Sequence, residues 1–226
     1  MCLAFGLRDF SMIETHTHTV LSDGKMVPAA LARRARSLGY RAIVFTDHAD
    51  WTNYAWILQQ HIQSLTPSGL FSGLDLIPGI ELTHIPPPLL QDMVEAVRRA
   101  GARIVLVHGE TLADDVETGT NLAAIEAGVD ILAHPGLITP EEISLAGEKG
   151  VLLEISGRAG HCLTNGHVAA QARRYGAQVV LGNDVHVAND LPTREQRRCI
   201  ALGAGMSEQE FLQAETAAQN LLPKGR

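Results

Sequence analysis

The chain has 226 residues, 46% of them hydrophobic, and is long enough to bury one sizeable core. A formal net charge of −7 without a basic block argues against a surface that grips long nucleic acids or anionic membranes. Three scattered cysteines do not suit a disulfide framework, and no run approaches the roughly 20 apolar residues that cross a membrane. Residues 1–10 carry two charges after a brief apolar stretch and lack the long apolar run of a leader, so we expect a cytoplasmic location. We also expect one domain over residues 1–226.

Short apolar runs alternate with helical patterns along the chain. The runs are near-continuous in Ile, Val and Leu, as parallel strands buried on both faces require. We predict strands at residues 12–16, 41–46, 74–81, 103–108, 131–134, 151–156 and 178–183. We predict helices at residues 28–38, 54–65, 89–100, 120–127, 141–149 and 168–175, and C-terminal helices at 194–204 and 207–222, within about 193–222. This repeated βα unit, with no linker, predicts one α/β barrel of about seven strands.

The predicted strands end, one after another, in a histidine or a carboxylate. The carboxyl ends of barrel strands converge on one mouth, so residues far apart in sequence become neighbours there. Imidazole nitrogen together with carboxylate oxygen suits Zn²⁺, Mn²⁺ or Fe²⁺ better than Ca²⁺ or Mg²⁺. Nine such residues are too many for one ion and fit two or three: His16, His18, Asp23, His48, Glu81, His108, His134, Asp184 and His186.

Seven motifs surround these residues in a fixed order. They are Thr15-His16-Thr17-His18, Ser22-Asp23-Gly24, Thr46-Asp47-His48, Gly79-Ile80-Glu81, Val107-His108-Gly109, Ala133-His134-Pro135-Gly136 and Gly182-Asn183-Asp184-Val185-His186. Together they resemble the PHP (polymerase and histidinol phosphatase) family over almost the whole chain. The resemblance implies a distorted (β/α)7 barrel of TIM-barrel type with a trinuclear metal centre. It implies one metal held by His16, His18, Glu81 and Asp184, a second by Glu81, His108 and His134, and a third by Asp23, His48 and His186.

The activity implied by the resemblance is phosphoester hydrolysis. We expect a metal-dependent phosphoesterase, similar to histidinol phosphatase, that acts on a small phosphorylated substrate with two or three Zn, Mn or Fe ions as cofactors. In the implied mechanism a metal-activated water attacks phosphorus. The residues expected to hold that water through the metals are His16, His18, Glu81 and Asp184.

Three residues outside the ligand set are candidates for binding the substrate phosphate. Arg158 follows the sixth strand, where a guanidinium could clamp phosphate in bidentate fashion, or could instead pair with a surface carboxylate. Lys25 follows the Asp23 turn, and His161 lies beyond a strand exit.

Three residues that lie close to predicted ligands in the sequence could either orient the imidazoles or point outward. These are Asp47, Glu110 and Asn183. We expect a structural role for Glu154 and an ordinary place on a helix surface for His61. The aromatic residues of segment 51–71 either stack on a leaving group or pack locally.

Three other functions compete with a phosphomonoesterase. A metal-dependent amidohydrolase also begins with a His-x-His strand, but such enzymes use a metal-bridging lysine where this chain has His108. A PHP-type nuclease or phosphodiesterase would act on a nucleotide or short oligonucleotide, because the chain lacks the basic and aromatic patches that long strands need. A non-catalytic subunit similar to a ribonuclease P protein need not keep metal ligands. The substrate, the native metal, the number of filled sites and the oligomeric state stay open.

Overall fold

The computed structural model describes residues 12–65 and 73–222. The expected lack of a leader concerns residues 1–10, which lie outside these ranges, as do residues 66–71 of the aromatic segment. The strands are Met12–Glu14 (β1), Tyr40–Phe45 (β2), His48–Ala49 (β3), Asp75–Leu82 (β4), Ile104–His108 (β5), Ile131–Ala133 (β6), Leu152–Ser156 (β7) and Val179–Gly182 (β8). The helices are Pro28–Ser37 (α1), Tyr54–Ser64 (α2), Leu90–Arg99 (α3), Thr120–Glu126 (α4), Pro140–Lys149 (α5), Asn165–Tyr175 (α6), Arg194–Gly203 (α7) and Glu208–Leu221 (α8).

Seven parallel strands form a nearly closed barrel in the order β1-β2-β4-β5-β6-β7-β8. The predicted distorted (β/α)7 barrel is therefore confirmed. The eighth strand, β3, has only two residues and pairs with the end of β4, so that His48 lies beside Glu81. A segment this short gives no periodic signal, and the sequence patterns did not predict it.

Within residues 12–65 and 73–222, one isolated bridge rather than a ladder joins the first and last strands of the barrel. Thr17 and Val185 form this isolated parallel bridge beyond the ends of β1 and β8. The backbone N–H of His18 donates to the Val185 carbonyl at 2.8 Å, and the N–H of Val185 donates to the His16 carbonyl at 3.1 Å. The closure therefore runs through the two segments that carry His16, His18, Asp184 and His186.

Apolar side chains fill the lower part of the barrel and place the polar side chains above them. Ile13, Leu106 and Ile131 belong to a buried cluster that also contains Ala217 and Ala218 of α8. The last helix thus packs against the interior layer of the strands. Burying this apolar layer is worth roughly 25 cal/mol per Å² and fixes which strand faces point inward.

Local capping signals set the helix boundaries. At α5, Thr139 accepts from the N–H of Glu142 in a capping box, Pro140 begins the helix, and Gly150 ends it with a left-handed φ of 72°. No helix in the described ranges is long and apolar enough to cross a membrane.

Candidate metal centre

The structure brings all nine predicted ligands to the carboxyl ends of the strands. Seven of them are buried, His48 is partly covered, and Asp23 keeps 54% of its side chain exposed. Histidines and carboxylates are rarely buried together unless they are paired or bind a cation. The centre is therefore closed on the barrel side and opens toward solvent near Asp23.

Glu81, at the end of β4, lies at the middle of the group. Its Oε2 is 3.2 Å from Nε2 of His16 and 3.3 Å from Nε2 of His18. Its Oε1 is 3.3 Å from both Nδ1 of His108 and Nε2 of His134. Oε2 is also 2.9 Å from Nδ1 of His48, so the two oxygens of one carboxylate face two different sets of imidazoles.

These donor atoms fit divalent cations. Atoms held about 2.1 Å from one ion lie roughly 3.0–3.4 Å apart in octahedral or tetrahedral geometry. Within the described residues, both oxygens of Glu81 and both ring nitrogens of His18, His108 and His134 are buried without a hydrogen-bond partner. Buried polar atoms seldom stay unpaired, and atoms this close without hydrogen-bond geometry form a typical ligand set.

A further group of four residues lies on the exposed side of the centre. Asp23, His18, His48 and His186 place ligand atoms within 4.8 Å of one another. Nε2 of His186 is 2.9 Å from Oδ2 of Asp23. This group contains the three residues that the family resemblance implies for a third metal, together with His18.

Neighbouring histidines lower the pKa of two carboxyl groups at the centre. Burial opposes the charge on Glu81, but the imidazoles of His16 and His48 hold the pKa of its carboxyl well below the ordinary value. Burial also opposes the charge on Asp184, whose pKa is held low by His16 and His18. Ionised carboxylates only accept, as a cation ligand must.

Two of the predicted ligands have strained backbone conformations just beyond their strands. His134 has a φ of 60° and Asp184 a φ of 48°, a region that residues other than glycine rarely adopt. Such strain persists where the surrounding structure enforces it, and it clusters at functional sites. The strand exits therefore turn sharply enough to aim both side chains into the mouth.

Glu154 lies deeper in the barrel than the ligands and contacts one of them. Its Oε1 is 2.8 Å from Nδ1 of His16, and both side chains are fully buried. A Cβ at Gly182 would collide with this Glu154 oxygen, so glycine leaves room for the carboxylate in this position. Glu154 thus holds the ring of His16 so that Nε2 faces the centre.

The structure places two of the three phosphate-binding candidates inside the mouth. Arg158 is part-buried, with Nε 3.2 Å from Oδ2 of Asp184. His161 is buried and stacks on the His134 ring, with a centroid distance of 4.2 Å. Burial and the neighbouring His134 lower the pKa of His161 to about 4. Lys25 has an exposed side chain, and its backbone N–H donates to the His186 carbonyl.

Sequence reasoning missed Asp114, which lies on the loop after β5. Its Oδ2 is 3.4 Å from Nε2 of His108 and 3.5 Å from Nε2 of His161. The signal was weak, because Asp114 stands in an acidic loop six residues beyond the strand end. Thr111, also unpredicted, places its Oγ1 2.8 Å from Nδ1 of His161.

The prediction that His61 lies on a helix surface is wrong. His61 is fully buried, with Nε2 2.7 Å from Oδ2 of Asp47 and Nδ1 3.1 Å from the Gly79 carbonyl. Asp47 also accepts from Oγ1 of Thr19 at 2.8 Å and from Oγ of Ser22 at 2.7 Å. Asp47 therefore fixes the turn that leads to Asp23 instead of orienting a ligand imidazole.

The other two candidates for orienting imidazoles also bind elsewhere. Glu110 accepts from the N–H groups of Gly119 and Asn121 and so secures the start of α4. Asn183 donates to the buried carboxylate of Glu14. Nδ1 of His48 has two other polar neighbours, Oγ1 of Thr83 at 2.7 Å and Oε2 of Glu81 at 2.9 Å.

The aromatic residues after His48 divide between surface and core. Trp51 and Trp56 are exposed by 46% and 52%. Tyr54 packs on the main hydrophobic cluster and meets Trp51 edge to face. Local packing therefore accounts for Tyr54, and Trp51 is free to meet other molecules.

Two solved structures share this barrel. A chain of an archaeal ribonuclease P with mature tRNA aligns with a TM-score of 0.70 at 16% identity, covering 92% of this chain and 89% of that one. Histidinol phosphate phosphatase of Lactococcus lactis, solved with Zn, L-histidinol and phosphate, aligns with a TM-score of 0.62 at 17% identity. That alignment covers 86% of this chain and 94% of the phosphatase. At these identities the likeness establishes the fold.

Relatives by sequence cover nearly the whole chain, although no family model matches it. A probable phosphatase of Thermoanaerobacter pseudethanolicus is 27% identical over 224 residues, 90% of this chain and 91% of that protein. The uncharacterized protein MJ1295 of Methanocaldococcus jannaschii is 44% identical over 198 residues, 87% of this chain and 91% of that protein. The chain therefore belongs to the same family as MJ1295 of M. jannaschii.

Proposed function

We propose that the protein is a PHP-type, metal-dependent phosphatase that hydrolyses a small phosphomonoester. The observation that carries this proposal is Glu81, whose Oε2 lies 2.9–3.3 Å from nitrogens of three imidazoles and whose Oε1 lies 3.3 Å from nitrogens of two others. A carboxylate placed this way suits a bridge between two cations. The relative named a probable phosphatase supports the same reaction class.

The nine predicted ligands would hold two or three Zn, Mn or Fe ions. Bound divalent cations supply Lewis acidity toward phosphate oxygens and toward a water nucleophile. His16 and His18 face one oxygen of Glu81 and also lie near Oδ1 of Asp184, whereas His108 and His134 face the other oxygen. Asp23, His48 and His186 surround the exposed position.

Arg158 and His161 flank the centre and would orient the phosphate. Both contact Oδ2 of Asp184, Arg158 through Nε at 3.2 Å and His161 through Nε2 at 3.5 Å. NH1 of the guanidinium also donates to the Asp184 carbonyl at 3.4 Å, so NH2 is the nitrogen that would lead the contact with a phosphate. A neutral His161, hydrogen-bonded to Thr111 through Nδ1, presents Nε2 to the mouth. Lys25, exposed at the rim, would add only general attraction.

Elemental analysis and a substrate panel test the proposal together. The purified protein should contain more than one equivalent of transition metal and should hydrolyse phosphomonoesters faster than phosphodiesters. Glu81→Gln should lose metal and activity while keeping the far-UV circular dichroism spectrum. Glu95→Gln, on the surface of α3, is the matched control and should resemble the parent protein. No metal uptake from Zn²⁺, Mn²⁺ or Fe²⁺ in the parent protein would refute the proposal.

Two other functions are distinguished by the same measurements. Preference for a diester or a dinucleotide would indicate a PHP-type phosphodiesterase or nuclease. The fold shared with a chain of archaeal ribonuclease P favours, as a second candidate, a non-catalytic RNA-bound subunit. That function predicts tight binding of a structured RNA that survives Glu81→Gln, and no turnover of any phosphoester.

A further inference from the structure

The barrel has a seam between β1 and β8, where side chains replace backbone pairing. Among the described residues, the sheet runs from β1 round to β8, and the bridge between Thr17 and Val185 joins its two ends. Deeper in the seam, Oγ1 of Thr15 and NH2 of Arg197 donate to the Leu181 carbonyl at 3.3 and 3.2 Å. Buried backbone groups must be satisfied, and here side chains satisfy them.

Glu14, fully buried at the end of β1, is the central acceptor of this seam. Its Oε1 accepts from the backbone N–H of Asn183 at 2.9 Å and from that of His16 at 3.3 Å. Its Oε2 accepts from Nδ2 of Asn183 at 2.5 Å. One carboxylate therefore ties a ligand of the first strand to the residue that precedes Asp184, a ligand of the last.

Arg197 of α7 supplies the charge that lets Glu14 be buried. It has no exposed surface, and its NH1 donates to Oε2 of Glu14 at 3.0 Å. Its Nε and NH2 donate to Oε1 of Glu215 on α8, at 3.0 and 2.8 Å. A buried arginine is costly unless every donor finds an acceptor, and this one spans the seam and both C-terminal helices.

The seam fixes a strained part of the centre. Asp184 adopts a left-handed φ of 48°, directly after Asn183, which Glu14 holds by backbone and side chain together. A Cβ on Gly157 would collide with Oδ1 of Asn183, so the other side of this amide is also closely packed. The position of Asp184 thus depends on contacts that reach down to α7.

We propose that Glu14 and Arg197 are positioning residues for the metal centre, which set the placement of His16 against Asp184 across the open seam of the barrel. This inference rests on the proposed metal-dependent function. It extends the site to the C-terminal helices, which carry none of the nine predicted ligands. It assigns the buried Glu14, Arg197 and Glu215 network a role beyond stability.

The test compares Glu14→Gln with Asp130→Asn in the full chain. Asp130 is a matched control, because its Oδ2 also accepts from a backbone N–H, that of Val105, and from an arginine, Arg98. It lies just before β6, at the opposite end of the barrel from the predicted ligands. The measurements are Zn²⁺ affinity by chelator competition, the visible absorption spectrum of the Co²⁺-loaded protein, and thermal unfolding. Loss of support for metal ligands typically weakens affinity about 10- to 100-fold.

We expect Glu14→Gln to weaken Zn²⁺ binding by about 10- to 100-fold and to change the Co²⁺ spectrum. Asp130→Asn should keep the parent spectrum and affinity even where its melting temperature falls equally. Parent-like affinity and spectrum in Glu14→Gln would overturn the inference alone, whereas a parent protein that binds no metal overturns the proposed function and the inference with it. If Glu14→Gln does not fold, Arg197→Lys decides by the same criteria, because an ammonium cannot reach Leu181, Glu14 and Glu215 together.

Discussion

Oε1 of Glu154 lies 2.8 Å from Nδ1 of His16 inside the barrel. Glu154 itself is not one of the nine predicted ligands. A carboxylate at this nitrogen keeps the proton there and leaves Nε2 free to bind a cation. The relationship makes Glu154 an orienting residue, and the Cβ-free Gly182 gives it room. The effect of Glu154 on Nδ1 can be tested apart from metal ligation. The nitrogen of His16 that faces the centre is Nε2, and Glu81 and Asp184 are its neighbours there.

Glu154→Gln should weaken Zn²⁺ binding by about 10- to 100-fold without unfolding the protein. Glutamine keeps the shape of the side chain. Its NH2 group can donate to an unprotonated Nδ1, so it no longer holds the proton on that nitrogen of His16. Chelator competition measures the affinity. Glu148→Gln, on the exposed surface of α5, provides a control that should bind as the parent does. Equal affinity in the two variants would remove Glu154 from the support of the centre.

Arg158→Ala tests whether the guanidinium binds phosphate or only neutralises Asp184. For a phosphate contact, kcat/KM for a phosphomonoester should fall roughly 10- to 1000-fold, or about 1.4–4 kcal/mol, with metal content unchanged. Arg158→Lys should recover only part, because an ammonium lacks the planar fork. A parallel loss of metal would instead show that Arg158 acts by holding Asp184. Arg36→Ala, at the exposed surface of α1, should stay within about twofold.

Asp47→Asn should selectively weaken the exposed part of the centre. Asp47 holds Thr19, Ser22 and His61 at once, and an amide cannot accept all of these bonds. The turn leading to Asp23 should loosen, so metal analysis should show a loss of up to one equivalent while the ions near Glu81 stay. Asp50→Asn, three residues along, should leave the stoichiometry unchanged, because its part-buried carboxylate accepts from Thr52 rather than from the turn that leads to Asp23. Loss of all metal in Asp47→Asn would contradict this local role.

Sequence patterns predicted the barrel because each of its seven main strands carries its own signal, whereas the two-residue β3 does not. Continuous apolar runs marked the buried strands, and the ligands follow those runs directly, so the fold brought them together without further information. His61 shows where the reasoning failed although a signal existed. It lies three and four residues after Leu58 and Ile57, on the buried face of α2, and this spacing favoured burial over exposure.

Other contacts could not be predicted because their partners lie far apart in sequence. Glu14 and Arg197 are separated by 183 positions, and a charged residue in an amphipathic helix usually lies in solvent. Its burial follows only when the strands and both C-terminal helices are assembled. Asp114 depends on the path of a loop, which periodicity does not determine.

The stability of the C-terminal helix should depend on pH through Glu210. This carboxylate accepts from the N–H of Ser207 at the start of α8 and from Nε of Arg173 at 2.6 Å. The side-chain bond from Arg173 and the backbone bond from Ser207 lower the pKa of Glu210 from 4.5 to about 2. A lowered pKa in the folded state means that the contribution is complete above pH 4.5 and is lost as the pH falls toward 2.

Glu210→Gln should therefore lower the free energy of unfolding at pH 7 by about 0.2–1 kcal/mol, since solvent screens this partly exposed pair. Glutamine can still complete the capping box with Ser207, so the change isolates the charge shared with Arg173. Urea unfolding at pH 7, 4 and 3 should show the difference between variant and parent shrinking with each step. A difference that stays constant from pH 7 to pH 3 would mean that lost packing, rather than the carboxylate charge, destabilises α8.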